Sequence, residues 1–474
     1  MQRLLQYIGG EFVEPASGQW IDDIEPASGD VIAAIARGNA DDVDRAVTAA
    51  SASTWSSTTV HERADWLDAI ADRIEAGLED LARMESRDTG KPISLARGVD
   101  IPRAVSNFRF FAGLVRHHQD PSAMMADAIN YTVRHPVGNV ALITPWNLPI
   151  YLLSWKVAPA LAMGNCVIAK PSELTPLTAD ALARLIHELG LPAGTFNLLH
   201  GYGAEVGAPL TAHEGIGAIS FTGGTATGRQ VAAAAEFRKL SLELGGKNAT
   251  VVFDDCDLDQ AIDGTLRAAF ANQGQICLCG SRLLVQRGIY EQFRERFVAA
   301  TKAMKVGDPA AADTRIGALI SDAHREKVEG YLELARQEGG TILCGGERPD
   351  RAGFFLTPAV VDDLSINARC ATEEIFGPVC TLHPFDSDEQ AIAMANATRY
   401  GLSASVWTRD LGRAHRVSRR LECGMVWVNT WLHRDLRVPF GGIKDSGVGR
   451  EGGKWSLEFF SEAQNICVRV DEES

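Results

Sequence analysis

The sequence predicts an α/β protein: a doubly wound domain with a nucleotide site, followed by a second α/β domain that carries a reactive cysteine. Two observations carry the fold. Strand-like and helix-like stretches alternate between residues 140 and 253, and a second alternating series runs from 258 to 429. The third observation is the segment FANQGQICLCGS at 270–281, where a polar, glycine-broken approach leads to Cys277. Such an approach leaves sulfur and backbone amides accessible, and thiolates attack carbonyl carbon well. Taken alone, Cys277 and Cys279 read rather as small core residues, because free cysteine is among the most buried residue types.

In chain order, residues 7–39 alternate short apolar runs with turn signals at Gly9-Gly10, Ser17-Gly18 and Ser28-Gly29, which predicts antiparallel strands in a small β layer. From 40 to 111 the spacing is helical, with Trp66, Ile70 and Ile74 on one face and Leu78, Leu81 and Met84 continuing it. The stretch 94–113 carries Arg97, Arg103 and Arg109 among apolar residues, and 130–140 returns to strand character. The βαβ series then reads as strands at 140–143, 166–169, 196–199, 218–221, 240–244 and 250–253. Helices fall near 152–163, 177–189 and 204–210, and another starts at Thr225. The second series begins with a helix at 258–271 and a strand at 282–286, and passes through helices at 289–304 and 322–338 to a strand at 426–429.

Composition sets the class. In 474 residues, 46% hydrophobic and 23% charged content describes a soluble globular chain of two or three domains, with disorder expected only at 471–474. A net charge of −15 disfavours nucleic acid and acidic membranes as partners, so an anionic ligand must be met by local basic residues. The nine cysteines are odd in number and lack paired zinc-site spacing, so no metal site is expected and a reducing cytoplasm fits. No signal-like run opens the sequence, and no stretch approaches ~18 uninterrupted apolar residues.

Several motifs fall at strand ends. Phe221-Thr222-Gly223-Gly224 follows a buried strand and opens an alanine-rich helix, which puts free amides where a pyrophosphate could sit; an ordinary glycine turn reads the same way. The glycines of 201–207, Gly203 and Gly207 among them, miss the usual dinucleotide fingerprint by one residue. Lys170 and Glu173, in Lys170-Pro171-Ser172-Glu173, lie where an adenosine ribose could be reached. Glu243, flanked by leucines, should be partly desolvated, with the raised pKa of a general base working near neutrality. Asn147, held between Pro145 and Pro149, is a rigid amide donor. Seen singly, these two also fit a paired carboxylate and a turn asparagine.

The motifs TPWNLP, KPSE, FTGG, LELGGK, GQIC and EEIFGPV occur in that order, and the chain thereby resembles the aldehyde dehydrogenase superfamily over nearly its whole length. The resemblance implies a Rossmann-type NAD-binding domain (1–118 and 137–245) and a catalytic α/β domain (246–445). It also implies a small β oligomerisation element with the C-terminal tail (119–136 and 446–474), in a homodimer or homotetramer. It further implies that Cys277 attacks the aldehyde, that Asn147 and the Cys277 amide stabilise the oxyanion, and that hydride leaves to NAD. Glu243 then activates the water that hydrolyses the thioester, which argues against a CoA-acylating relative. Glu374 and Phe376 would hold the nicotinamide ribose and ring. Ile143, Thr144, Pro145, Trp146, Lys170, Ser172, Glu173, Gly203, Gly207, Phe221, Thr222, Gly223, Gly224, Leu244 and Gly245 would supply the rest of the cofactor site. Gly224 stands where many members carry serine.

A narrower resemblance rests on Ile101-Pro102-Arg103, residues 107–111, residues 272–279 and Trp431-Leu432-His433-Arg434-Asp435-Leu436-Arg437. These stretches are similar to those of the 2-hydroxymuconate and 2-aminomuconate semialdehyde dehydrogenases. Such substrates carry a carboxylate distant from the aldehyde, and arginine binds carboxylates bidentately. Arg103 and Arg434 match the positions that bind it, and His433 departs from the pattern. Betaine aldehyde and simple aliphatic or aromatic aldehydes are the alternative substrates. A cysteine hydrolase would need a histidine partner, and none of the eleven histidines lies in a recognisable catalytic motif. A noncatalytic protein on the same fold should have lost Cys277 or Glu243.

Overall fold

The computed structural model describes residues 2–470, so the expectation for 471–474 lies outside the described residues. Two large sheets organise it. In the first, five parallel strands run in the spatial order Lys239–Glu243, Ala218–Thr222, Asn139–Ile143, Cys166–Lys170 and Phe196–Leu198. Strands such as Cys166–Lys170 are buried along their whole length, because helices cover both faces of a parallel sheet. The chain enters at Asn139–Ile143, winds outward through Cys166–Lys170 and Phe196–Leu198, and returns to the other side at Ala218–Thr222. The switch point therefore lies between the carboxyl ends of Asn139–Ile143 and Ala218–Thr222, where such sheets bind ligands.

The helix Pro149–Ala162 packs between this sheet and the helix Ile101–Arg116, and is buried nearly all round. Proline at its first position costs no hydrogen bond and fixes a helical φ. The outer helices Ala40–Ser51 and Val60–Ala76 start on capping boxes, Asn39 with Asp42 and Thr59 with Glu62.

The second sheet has the order Thr341–Cys344, Ala359–Asp362, Val379–Phe385, Arg282–Gln286, Ala249–Val252, Ser403–Trp407 and Met425–Val428, parallel except for the first strand. A third sheet pairs Ser461–Arg469 with Ala128–Pro136 along nine residues and adds Ser122–Met124.

Two assignments differ from the sequence expectation. The stretch 250–253, read as the end of the first series, belongs to the second sheet, because Ala249–Val252 pairs with Arg282–Gln286 and Ser403–Trp407. The stretch 7–39 is not one antiparallel layer. The hairpin Gln6–Ile8 with Glu11–Val13 extends the first sheet, while Gln2–Leu4 pairs in parallel with Val31–Ala36, which also pairs with Trp20–Ile24. Strand rhythm reports local conformation and not which edge a strand joins. The carboxyl-terminal segment also divides: Gly447–Val448 closes the first sheet against Lys239–Glu243, and only Ser461–Arg469 joins the third.

Candidate active site

A cavity of about 770 Å³ opens between the two sheets. Cys277, Glu243 and Asn147 line it together with Pro145, Trp146, Thr222, Gly223, Gly224, Leu244, Gly245, Glu374 and Phe376, and so do Arg103 and Arg434. Residues separated by more than 300 positions in sequence thus converge on one space.

Cys277 follows the helix Leu258–Phe270 through an unusual turn. Asn272 and Gln273 have φ of +52° and +57°, and Gly274 has +70°. Two successive left-handed residues other than glycine cost free energy that the surroundings must repay. Asn272 Nδ2 bonds to the carbonyls of Asn147 (3.0 Å) and Gln275 (3.2 Å), Gln273 Nε2 to Ala318 O (3.0 Å), and Gln275 Oε1 accepts from the Ile320 amide (3.2 Å). At Gly274 a Cβ would collide with the Gly377 carbonyl, so only glycine fits. Asn248 Nδ2 holds the Cys277 carbonyl at 2.7 Å. The half-buried thiol of Cys277 is pushed far above its ordinary pKa by desolvation and by the Glu243 and Glu374 carboxylates, and it rests protonated. Cys279 is buried outside the cavity lining, with its thiol raised to about 12 chiefly by burial, so access and not pKa separates the two cysteines.

Asn147 precedes the helix Pro149–Ala162, and its side-chain amide donates to Gln275 O at 2.8 Å, which leaves one of its two amide hydrogens. Its carbonyl accepts from buried Lys91 Nζ at 3.0 Å, an ammonium that also bonds Asp100. Glu243 ends its strand with the carboxylate 4% exposed, and neither oxygen has a hydrogen-bond partner among the described residues. Burial first, then the nearby Glu451 charge, raise it well above the ordinary carboxylate range, against Lys156, Arg434 and Arg450. Gly441 leaves room for it, since a Cβ there would stand 2.8 Å from Glu243 Oε1.

The helix Thr225–Ala235 begins at Gly224 without a side-chain cap, so its first amides point from the switch point with no side chain upon them. A Cβ at Gly224 meets nothing within 4 Å, so the site accepts either glycine or the serine of other members. At Gly223 a Cβ would come within 2.5 Å of Phe221 Cζ, and at Gly228 it would run into Leu244. Glu374 lies across Gly245 and accepts from the Gly246 amide at 2.9 Å. Phe376, at φ +61°, packs edge-on against Trp146 with ring centroids 5.2 Å apart. Ile143, Thr144, Lys170, Ser172, Glu173, Gly203, Gly207 and Phe221 lie outside the cavity lining, at the carboxyl ends of adjacent strands of the same sheet. Lys170 Nζ donates to Glu173 Oε2 at 3.2 Å and to Pro171 O at 3.0 Å. The glycines 203 and 207 bound a single wide helical turn, with Gly207 beside the Lys170 stem.

Among the arginines of 94–113, Arg97 pairs with Glu79 and Arg109 with Asp72 and Glu75 on the surface, and only Arg103 faces the cavity. Arg103 stands 5.6 Å over the Tyr151 ring. Arg434 is sandwiched between Trp155 (4.1 Å) and Phe440 (3.9 Å), and its Nη1 donates to Tyr151 Oη at 3.4 Å. Its Nε and Nη2 are buried without a partner among the described residues. His433 is exposed, and its carbonyl accepts from Trp427 Nε1 at 3.0 Å.

Sequence reasoning missed Tyr151, Trp155, Lys156 and Glu451. Glu451 accepts from Lys156 Nζ and Trp155 Nε1, each at 2.7 Å, and from Ser220 and Ser241. Burial works to raise Glu451, but the Lys156 charge and these bonds hold it below the ordinary value. A charged residue within Gly449-Arg450-Glu451-Gly452 reads as loop, and the i, i+4, i+8 spacing of Asn147, Tyr151 and Trp155 is the one signal in the sequence that places them along one face.

The fold is that of an aldehyde-oxidising dehydrogenase. The aldehyde dehydrogenase family model matches residues 12–466, and the chain belongs to that family. It is 49% identical over 479 residues to the 2-aminomuconic semialdehyde dehydrogenase of Bos taurus, with 98% of each chain covered. It is 45% identical over 488 residues to the 2-hydroxymuconic semialdehyde dehydrogenase of Pseudomonas putida, covering 99% of this chain and 100% of that one. Among solved structures, it is similar to betaine aldehyde dehydrogenase of Staphylococcus aureus in complex with NAD+. That match has a TM-score of 0.96 and 39% identity, over 99% of this chain and 95% of the other. Among the described residues, no helix is long and apolar enough to cross a membrane.

Proposed function

We propose that the protein oxidises a muconic semialdehyde, 2-hydroxy or 2-amino substituted, to the dicarboxylic acid with NAD. The observation that carries this reading is Arg434. Its Nε and Nη2 form one edge of the guanidinium, the edge that binds a carboxylate bidentately, and both are buried without a partner among the described residues in the wall of the cavity that holds Cys277. A buried guanidinium edge with no acceptor is costly, so an anion is the ligand that repays it. Arg103 adds a second cation, and such a pair repels the trimethylammonium of betaine aldehyde. The names of the relatives point to the same substrates.

In this reading the Cys277 thiol gives its proton to the Glu243 carboxylate, which passes it to solvent, as sulfur bonds to the aldehyde carbon, and the oxyanion is met by the remaining Asn147 amide hydrogen and the Cys277 N–H. Bound NAD supplies the two-electron acceptor for the hydride that leaves the thiohemiacetal carbon. Glu243 takes a proton from the water that attacks the thioester, and the cysteine leaves. The uncapped amides at Thr225 suit a pyrophosphate, the Lys170–Glu173 pair an adenosine ribose, and Glu374 with Phe376 the nicotinamide end.

We infer further that a second copy covers the third sheet, giving a dimer or tetramer. That sheet presents Met124, Tyr131 and Val468 to solvent at 75%, 39% and 47% exposure. The test of the function is NAD reduction with a panel of muconic, betaine and aliphatic aldehydes. The muconic substrate should give the highest kcat/KM, and a neutral aldehyde that matched it would end the substrate reading.

A further inference from the structure

We propose that Tyr151 is a specificity-determining residue that assembles the two arginines into one carboxylate clamp and donates its own phenolic proton to the same anion. This rests on the reading of Arg103 and Arg434 as the carboxylate subsite.

Two guanidinium groups lining one cavity repel each other, so each needs something that fixes it without neutralising it. Tyr151 touches both. Its ring face carries Arg103 at 5.6 Å, and its oxygen accepts from Arg434 Nη1 at 3.4 Å. Neither contact consumes positive charge, whereas Arg97 and Arg109, on either side of Arg103 in sequence, are tied up by carboxylates.

The choice of atom on Arg434 matters. Because Nη1 is taken by the phenol and the guanidinium plane is clamped between Trp155 and Phe440, the edge left over is Nε with Nη2, the parallel pair that matches a carboxylate. An oxygen that accepts from Arg434 must point its own hydrogen elsewhere. Tyr151 lines the cavity wall at 6% exposure, and its hydrogen has no bond to a protein acceptor among the described residues, so a carboxylate bound there would accept it. The helix Pro149–Ala162 sets the distance between clamp and chemistry: Asn147 precedes it, Tyr151 lies in its first turn, and Trp155 follows one turn later. A six-carbon chain with its aldehyde at Cys277 would therefore be measured by the same helix at both ends.

The experiment compares Tyr151→Phe, Tyr151→Leu and Arg434→Ala with the wild type. It reads KM for a muconic semialdehyde, KM for a neutral aliphatic aldehyde, and the inhibition constant of adipate, a six-carbon dicarboxylate that cannot turn over. Tyr151→Phe keeps the ring and loses the oxygen. The ratio of the two KM values should rise about three- to tenfold, and the adipate constant by a similar factor. Tyr151→Leu, which also removes the platform under Arg103, should raise both further. If Arg434→Ala raises the ratio while Tyr151→Phe leaves it and the adipate constant within twofold of wild type, the role of Tyr151 is overturned and the carboxylate subsite stands. If Arg434→Ala moves neither quantity, the subsite itself falls. Loss of adipate binding by a Tyr151→Phe variant with the wild-type thermal midpoint supports the proposal even where turnover is too slow to measure.

Discussion

Lys156 Nζ lies 2.7 Å from Glu451 Oε1, in an ion pair buried behind Glu243. Both side chains come from segments that bound the cavity, the helix Pro149–Ala162 and the turn after Gly447–Val448, so the pair ties the late chain to the first sheet. Removing Lys156 leaves the Glu451 charge buried with only the neutral donors Trp155, Ser220 and Ser241. Lys156→Met should therefore cost roughly 3–5 kcal/mol of stability, read as a lowered urea midpoint. A midpoint equal to wild type would show that water reaches the pair.

The same pair acts on Glu243. A carboxyl whose folded pKa is raised keeps its proton to higher pH, so thioester hydrolysis should climb with pH through a value above the ordinary 4.5. Glu451→Gln removes the charge that helps to raise it and should move that climb to lower pH. A pH profile identical to wild type in single-turnover hydrolysis would separate Glu451 from the base.

Glu243→Gln should slow hydrolysis more than hydride transfer, so that acyl-enzyme accumulates during turnover. Intact-mass spectrometry reads this directly, and free enzyme alone during turnover would count against Glu243 as the base.

Cys277→Ala should abolish oxidation and spare NAD binding, since the proposed cofactor contacts lie mainly on the first sheet. Retained turnover, with Cys279 only two residues away, would reassign the nucleophile.

Glu173 should accept from an adenosine ribose hydroxyl and repel a 2′-phosphate, so NAD should be preferred to NADP. Its bond to Lys170 holds the carboxylate in place but also puts a cation within reach of a phosphate. Equal kcat/KM with the two cofactors would mean that Lys170 dominates.

Much of the site was legible because its residues break local rules. Glu243 is a carboxylate between leucines, Asn147 sits between prolines, and Cys277 follows a run of polar residues and glycine. Tyr151 and Trp155 were passed over because aromatic residues at helical spacing look like core, and Trp155 is buried apart from its contacts with Arg434 and Glu451. Glu451 was hidden for the opposite reason, as a charge among glycines has no sequence signature of burial. The sheet membership of 249–252 and of 6–8 depends on long-range pairing, which strand periodicity does not encode. The left-handed turn at Asn272 and Gln273 likewise depends on the distant carbonyls of Asn147 and Ala318 as well as the local bond to Gln275.

The substrate class is tested most directly by the ratio of kcat/KM for a muconic semialdehyde to that for a neutral aldehyde, measured in wild type, Arg103→Ala and Arg434→Ala. Each arginine removed should lower the ratio about tenfold or more, because a charge-assisted contact worth roughly 1.5–3 kcal/mol is lost from the anionic substrate alone. If both variants lose activity equally on the two aldehydes, the arginines are structural and the protein is an aldehyde dehydrogenase without a carboxylate-reading pocket.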